Sequence, residues 1–133
     1  MNLIRYENNR KYILTKHLRQ RYCERVLNRS YDGRLTKEED TALMRIVYSA
    51  PEERTWVNNL NIVHHLKTKY GANKILILKH NSYWFICHES EVKNHYVVIT
   101  VYDSTKYEWS KICRDKETKI SQIINTKSTN YNR

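Results

Sequence analysis

Glycine and proline are nearly missing from this chain, with two glycines and one proline among 133 residues, where about 12% of a typical sequence is one or the other. Many-turned sandwiches and barrels draw on those residues at their turns, so that class is disfavoured and helices with a few strands fit better. Cysteine is also sparse. Cys23, Cys87 and Cys113 are odd in number, scattered and without C-x-x-C spacing, which argues against a disulfide scaffold and for a reducing, cytoplasmic setting. The purest apolar runs, Ile75 to Leu78 and Val97 to Ile99, are too short to cross a bilayer, and Met1 to Glu7 has no apolar signal core. With Gly33 and Gly71 as the only glycines, a P-loop and a G-x-G-x-x-G fingerprint are excluded. Acidic residues are the last shortage: 14 Asp and Glu stand against 24 Lys and Arg, a formal charge of +10. Such a balance favours RNA or another polyanion as partner, because lysine and arginine release counterions when they approach phosphates.

What is present is enough for one domain. The spacing predicts an arm or short strand at Lys11 to Leu14, then a helix from about Lys16 to Asn28 with Thr15 as its N-cap and Leu18, Tyr22 and Val26 as its apolar stripe. Thr36-Lys37-Glu38-Glu39 has the form of a capping box and opens a second helix, Lys37 to Ala50. Pro51, followed by Glu52 and Glu53, suits the start of a third helix reaching Tyr70, with Gly71 as its stop. From Asn73 the period changes to strands: Ile75–Leu78 and Tyr83–Cys87 around a turn at Asn81-Ser82, then Tyr96–Tyr102. The expected architecture is α+β, with N-terminal helices packed on an antiparallel sheet of at least three strands. Residues 1–105 would form the domain. Residues 106–133 would be a polar, basic extension, with a short helix possible near Lys119 to Asn125 and a frayed tail after it.

The most informative spacing is on the first helix. His17, Arg21 and Arg25 lie at i, i+4 and i+8, one residue out of phase with the apolar stripe, so they line one edge of the buried face. The row spans about 12 Å and can reach two successive phosphates of a single strand. Two arginines four residues apart repel unless an anion or carboxylate sits between them. A charge run of this kind is ordinarily a solvated face. The histidine at its head supports a functional reading, because imidazole exchanges protons near neutral pH while arginine stabilises charge building on a phosphorane. Together they suffice, without metal, for attack of an RNA 2'-hydroxyl on its own phosphodiester.

The run Thr15-Lys16-His17-Leu18-Arg19-Gln20-Arg21-Tyr22-Cys23-Glu24-Arg25 resembles the T-K-H-x-x-x-R-x-x-x-R helix of small phage, plasmid and bacterial proteins related to the RelE-like and barnase-like ribonuclease fold. Tyr96-Val97-Val98-Ile99-Thr100-Val101-Tyr102 is similar to their last strand. The resemblance covers roughly Tyr12 to Tyr102. It implies a small endoribonuclease, toxin-like or a phage effector, in which His17 is the general acid or base, Arg21 and Arg25 hold the phosphate, and Thr100 and Tyr102 position it. It also implies a possible protein antitoxin or host target. Two departures stand out: the loop between Arg25 and Thr36 and the helix placed at Pro51 to Tyr70 are both longer than the family minimum. Members of the fold include silent relatives, so a non-catalytic binder of nucleic acid or a nucleotide-like anion, or a module docking an acidic protein, stays open.

Four further residues are candidates for nucleic-acid contact. Lys16 and Arg19 share the basic helix. Lys79 faces Trp84 across the expected hairpin, where an indole can stack on a base, although a core tryptophan is the commoner outcome. On the last strand strict alternation puts Tyr96, Val98, Thr100 and Tyr102 on one face, with Val97, Ile99 and Val101 packed on helices. No carboxylate base has positional support: Glu24, Asp40 and Glu108 are the acids considered. No metal site or cofactor is expected, since His64 and His65 point to different helix faces and Cys87-His88 with His95 lacks zinc-ligand spacing.

Overall fold

A computed structural model describes residues 10–71 and 74–113. In chain order it contains β1 (Lys11–Leu14), α1 (Lys16–Arg25), α2 (Lys37–Ser49), a 3-10 turn (Thr55–Asn58), α3 (Leu60–Tyr70), β2 (Ile75–His80), β3 (Tyr83–Glu89) and β4 (His95–Asp103). Residues 107–113 form a last helical stretch, α4. The fold is α+β, and its sheet has four strands in the order β1-β4-β3-β2. The expected antiparallel meander is there, but β1 joins it in parallel, beside β4. The sheet is therefore mixed, and one strand precedes the helices. The return from β1 runs through all three long helices, which lets two distant segments of chain lie side by side in the same direction.

Helices cover both faces of the sheet. On one face Leu18, Tyr22 and Cys23 of α1 and Leu43 and Val47 of α2 pack over Leu76, Leu78, Phe85, Cys87, Val98 and Val101. On the other, Ile62 and Leu66 of α3 meet Ile77, Ile86, Tyr102 and Trp109. Trp109 and Ile112 thus bring α4, in the stretch expected to be a polar extension, into the second core. The short helix expected near Lys119 to Asn125 and the expected frayed tail lie outside the described residues.

Two caps form as their sequences predict. The Thr15 hydroxyl accepts from the Leu18 amide at 3.0 Å and donates to the Val98 carbonyl at 2.9 Å, tying the start of α1 to β4. At α2 the Thr36 hydroxyl accepts from the Glu39 amide, while the Glu39 carboxylate accepts from the Thr36 amide. The first helix stops earlier than expected, at Arg25, and Asn28 turns the chain with φ 56°. Asn81 does the same for the β2–β3 hairpin with φ 55°.

Pro51 does not open a helix. Residues 51–53 run along the outer edge of β2, where the Lys79 amide donates to the Pro51 carbonyl at 3.0 Å and the Glu53 amide to the Ile77 carbonyl at 2.7 Å. The third helix begins only at Leu60, because Asn59 caps it: the Asn59 amide oxygen accepts from the Asn61 and Ile62 amides. At the opposite edge the Tyr48 hydroxyl accepts from the Tyr12 amide and donates to the Tyr12 carbonyl. Both edges are thus shielded from pairing with another chain.

A bulge corrects the expected faces of β4. Ile86 pairs with Thr100 but Cys87 pairs with Val98, leaving Ile99 as an extra residue. The insertion breaks strict alternation. Tyr96 and Val98 share the first core with Val101, whereas Thr100 pairs with Ile86 on the opposite face and Tyr102 enters the second core.

Candidate functional site

β1 ends at Leu14 while β4 continues to Asp103, so the far half of β4 has no strand partner on that side. α1 fills the gap by lying along it. Thr15 takes the Val98 carbonyl, and Arg25, three turns further on, takes the Val101 carbonyl through Nη1 at 2.8 Å. Nη1 also donates to the Thr100 hydroxyl at 3.2 Å. The guanidinium carbon stands 4.6 Å from the centre of the Tyr102 ring, a cation–π distance. Nη2 pairs with Glu108, which α4 brings in from 83 residues away. Arg25, Thr100 and Tyr102, drawn from a helix and a strand, therefore converge, and the bulge at Ile99 makes this possible by turning Thr100 and Tyr102 to one side.

His17 and Arg21 occupy the two preceding turns of α1. His17 is exposed. Arg21 pairs with Glu24 on its own helix, Nη1 to Oε1 2.9 Å, with each side chain about a third exposed. Beside Arg21 and Arg25, a third cation acts on His17 from the last turn of α3, Lys69. Desolvation first, then the charges of Arg21, Lys69 and Arg25, hold the His17 imidazole below its ordinary 6.5, with Glu24 opposing them weakly. Those charges disfavour the imidazolium and bias the ring toward the neutral form, which can accept a proton. Next to Lys69 in sequence, Tyr70 has its phenol pushed up to about 12 by burial and by Tyr102, against the pull of Arg25. Burial raises Tyr102 as well. These hydroxyls stay protonated and can only donate to, or accept from, a bound group.

The other expected contacts are placed differently. Arg19 is a structural residue: Nε binds Asp40 at 2.6 Å and Nη1 binds the Leu14 carbonyl, pinning α1 to α2 and to the end of β1. It is not available for a phosphate without breaking those bonds. Trp84 is half-buried with its ring 4.9 Å from that of Trp109, so the stacking partner it was expected to find is protein. Lys79 is exposed and stands in register with Trp84, which pairs in turn with Tyr102. That places Lys79 two strands, about 10 Å, from the Arg25 site. Lys16 is exposed on the first turn of α1, beside His17 in sequence.

Sequence reasoning missed Lys69 and Tyr70, which read only as the end of a helix, and gave Glu108 no position. The signal for Lys69 was a basic last turn, favoured there by the helix dipole whatever its use. Among the described residues no three His, Cys, Asp or Glu side chains are grouped to hold a metal ion, and no helix is long and apolar enough to cross a membrane. No family model matches the chain, and neither a curated protein nor a solved structure matches it.

Proposed function

We propose that this chain is a small endoribonuclease of the RelE/barnase-like kind that cleaves RNA without a metal, by attack of a 2'-hydroxyl on the adjacent phosphodiester. The feature that carries the reading is the row His17, Arg21 and Arg25 on successive turns of α1, with the charge of Lys69 added to it and the imidazole two turns of helix from the Arg25–Thr100–Tyr102 cluster. In this scheme His17 is the general base that takes the 2'-hydroxyl proton, and the three cations stabilise the doubly charged phosphorane. The P–O5' bond then breaks, water protonates the departing oxygen, and a 2',3'-cyclic phosphate remains. Thr100 and Tyr102 hold the Arg25 guanidinium in place. Glu108 must leave Arg25 for a phosphate to take its position; at 59% exposure it is the replaceable partner. The buried thiols of Cys23 and Cys87 suit a reducing cytoplasm, and a toxin of this kind would be held in check by a protein antitoxin.

The test is incubation of the purified protein with total RNA in EDTA, followed by end-group analysis. Cleavage that leaves 2',3'-cyclic phosphates and is abolished by His17→Ala supports the proposal. Unchanged cleavage by His17→Ala refutes the mechanism.

One observation favours a second reading. Arg25 already has four partners, three of them on β4, so the same cluster also suits a non-catalytic binder that grips an anion with His17, Arg21 and Lys69. Binding that weakens steeply with salt, with no product after prolonged incubation, is its signature.

A further inference from the structure

The two arms of the Arg25 guanidinium have different partners. Nη1 is spent on β4, on the Val101 carbonyl at 2.8 Å and the Thr100 hydroxyl at 3.2 Å. Nη2 takes Glu108 of α4. That helix is held by Trp109, which is buried with its ring 4.9 Å from Trp84 and 5.3 Å from Tyr102, so its backbone stays in place whichever way the Glu108 side chain turns. The carboxylate is 59% exposed and borders a cleft of about 560 Å³ that Arg25, Asn28, Tyr102 and Lys111 also line. Lys111 is exposed, enters no ion pair among the described residues and lies three positions after Glu108 on α4. A glutamate three residues before a lysine is a pairing that helix geometry favours, yet Glu108 reaches Arg25, 83 residues away in sequence, instead. Burial accounts for the choice. The Arg25 side chain keeps 20% of its surface in solvent, and a guanidinium so enclosed gains more from a counter-charge than a solvated ammonium does.

We propose that Glu108 is a carboxylate gate on the Arg25 anion site: without a ligand it occupies Nη2, and when a phosphate group takes Nη2 it swings to Lys111. The proposal rests on the anion-site reading given above and adds a regulatory residue to it. A carboxylate within reach of two cations, one enclosed and one solvated, has two positions, and a ligand shifts it between them by binding only one of the two states. A phosphate oxygen at Nη2 supplies the charge that Glu108 had supplied and repels the carboxylate. The pair with Lys111 then receives it at the mouth of the cleft. Nη1 keeps its bonds to β4 throughout, so the sheet edge stays closed while the site opens. By linkage, whatever weakens Glu108 on Arg25 favours the anion, and whatever weakens Glu108 on Lys111 disfavours it.

The test is an orthophosphate titration of the full chain, followed by NMR at the Arg25 Nε–H and the His17 imidazole. Glu108→Gln should bind phosphate about 1.4- to 5-fold more tightly than wild type, the bias an exposed ion pair exerts on an equilibrium. Glu91→Gln, an equal charge change at an exposed loop residue outside the cleft, should leave the affinity unchanged. Lys111→Ala should weaken binding about twofold in wild type, the share of one helical ion pair, and have no effect in the Glu108→Gln background, because it acts through the carboxylate. Equal affinity of Glu108→Gln and wild type overturns the gate, and so does an equal gain from Glu91→Gln, which would mean net charge alone. A loss from Lys111→Ala that is the same in both backgrounds would mean direct contact with the anion and overturns the exchange, as does no loss in either. The two proposals fail separately. A phosphate response in wild type that Glu108→Gln leaves unaltered removes the gate and keeps the anion site, whereas no response from either protein removes both.

Discussion

Replacing Arg25 by alanine separates what this side chain does for the fold from what its row does for an anion. Its side chain is 20% exposed. Truncation strips the Val101 carbonyl of its donor at the open edge of β4, and a buried acceptor left unpaired costs about 1–3 kcal/mol. Loss of the cation–π contact with Tyr102 adds about 1 kcal/mol. The Glu108 pair adds less than about 1 kcal/mol, because the carboxylate is 59% exposed and screened. Arg25→Ala should therefore destabilise the protein by roughly 2–4 kcal/mol. Arg21→Ala, whose partner is solvent-facing on the same helix, should leave stability unchanged. Urea unfolding followed by tryptophan fluorescence is the assay, since Trp84 and Trp109 both sit in the second core. The m-value should stay constant, so that the midpoint carries the difference. If Arg25→Ala unfolds at the same urea concentration as Arg21→Ala, the guanidinium does not close the sheet edge, and the argument for its fixed position fails.

Other consequences are accessible to the same methods. Thr15→Ala removes a helix cap and the donor to the Val98 carbonyl together and should cost about 1–2 kcal/mol, with Thr15→Ser recovering most of it; a neutral effect would mean that water replaces the hydroxyl. The Asp103 carboxyl is buried, which alone would raise its pKa, but hydrogen bonds from Thr105 and Ser82 hold it below 3.8. A depressed folded-state pKa gives stability that is complete above the unfolded value and lost as pH falls through the folded one. Urea midpoints measured between pH 5 and pH 2.5 should fall more steeply for wild type than for Asp103→Asn, and parallel curves would contradict this. If His17 is the base, kcat/KM for RNA should rise with pH through a pKa below 6.5 and be level by pH 7. Lys69→Ala should move that limb upward by removing a repelling charge, and an unmoved limb would detach Lys69 from the site.

Much of this fold is legible in the residues because its signals are local. The capping box at Thr36, the cap at Thr15, the Asn81 turn and the apolar runs of β2, β3 and β4 each act within a few positions. What escapes depends on partners far along the chain. Pro51-Glu52-Glu53 has the composition of a helix start, and only the open edge of β2 makes it extended; the rival signal, Asn59 ahead of Leu60, sat eight residues later. The bulge at Ile99 is invisible to a period of two, yet it decides which face Thr100 and Tyr102 occupy. On the basic helix the row His17, Arg21, Arg25 was readable from spacing, whereas the fixed role of Arg19 required Asp40 and the Leu14 carbonyl. Lys69 and Glu108 reach the row through tertiary packing alone.

The central claim is that His17 stands in a field of converging cations built to receive an anion, and its own titration reports that field. NMR observation of the imidazole across pH 4 to 8, without and with orthophosphate, is the direct measurement. The expected result is a pKa below 6.5 in the unliganded protein and an upward move if phosphate neutralises Arg21, Arg25 and Lys69. An imidazole that titrates at or above 6.5 and ignores phosphate would show that the cations do not act on one site.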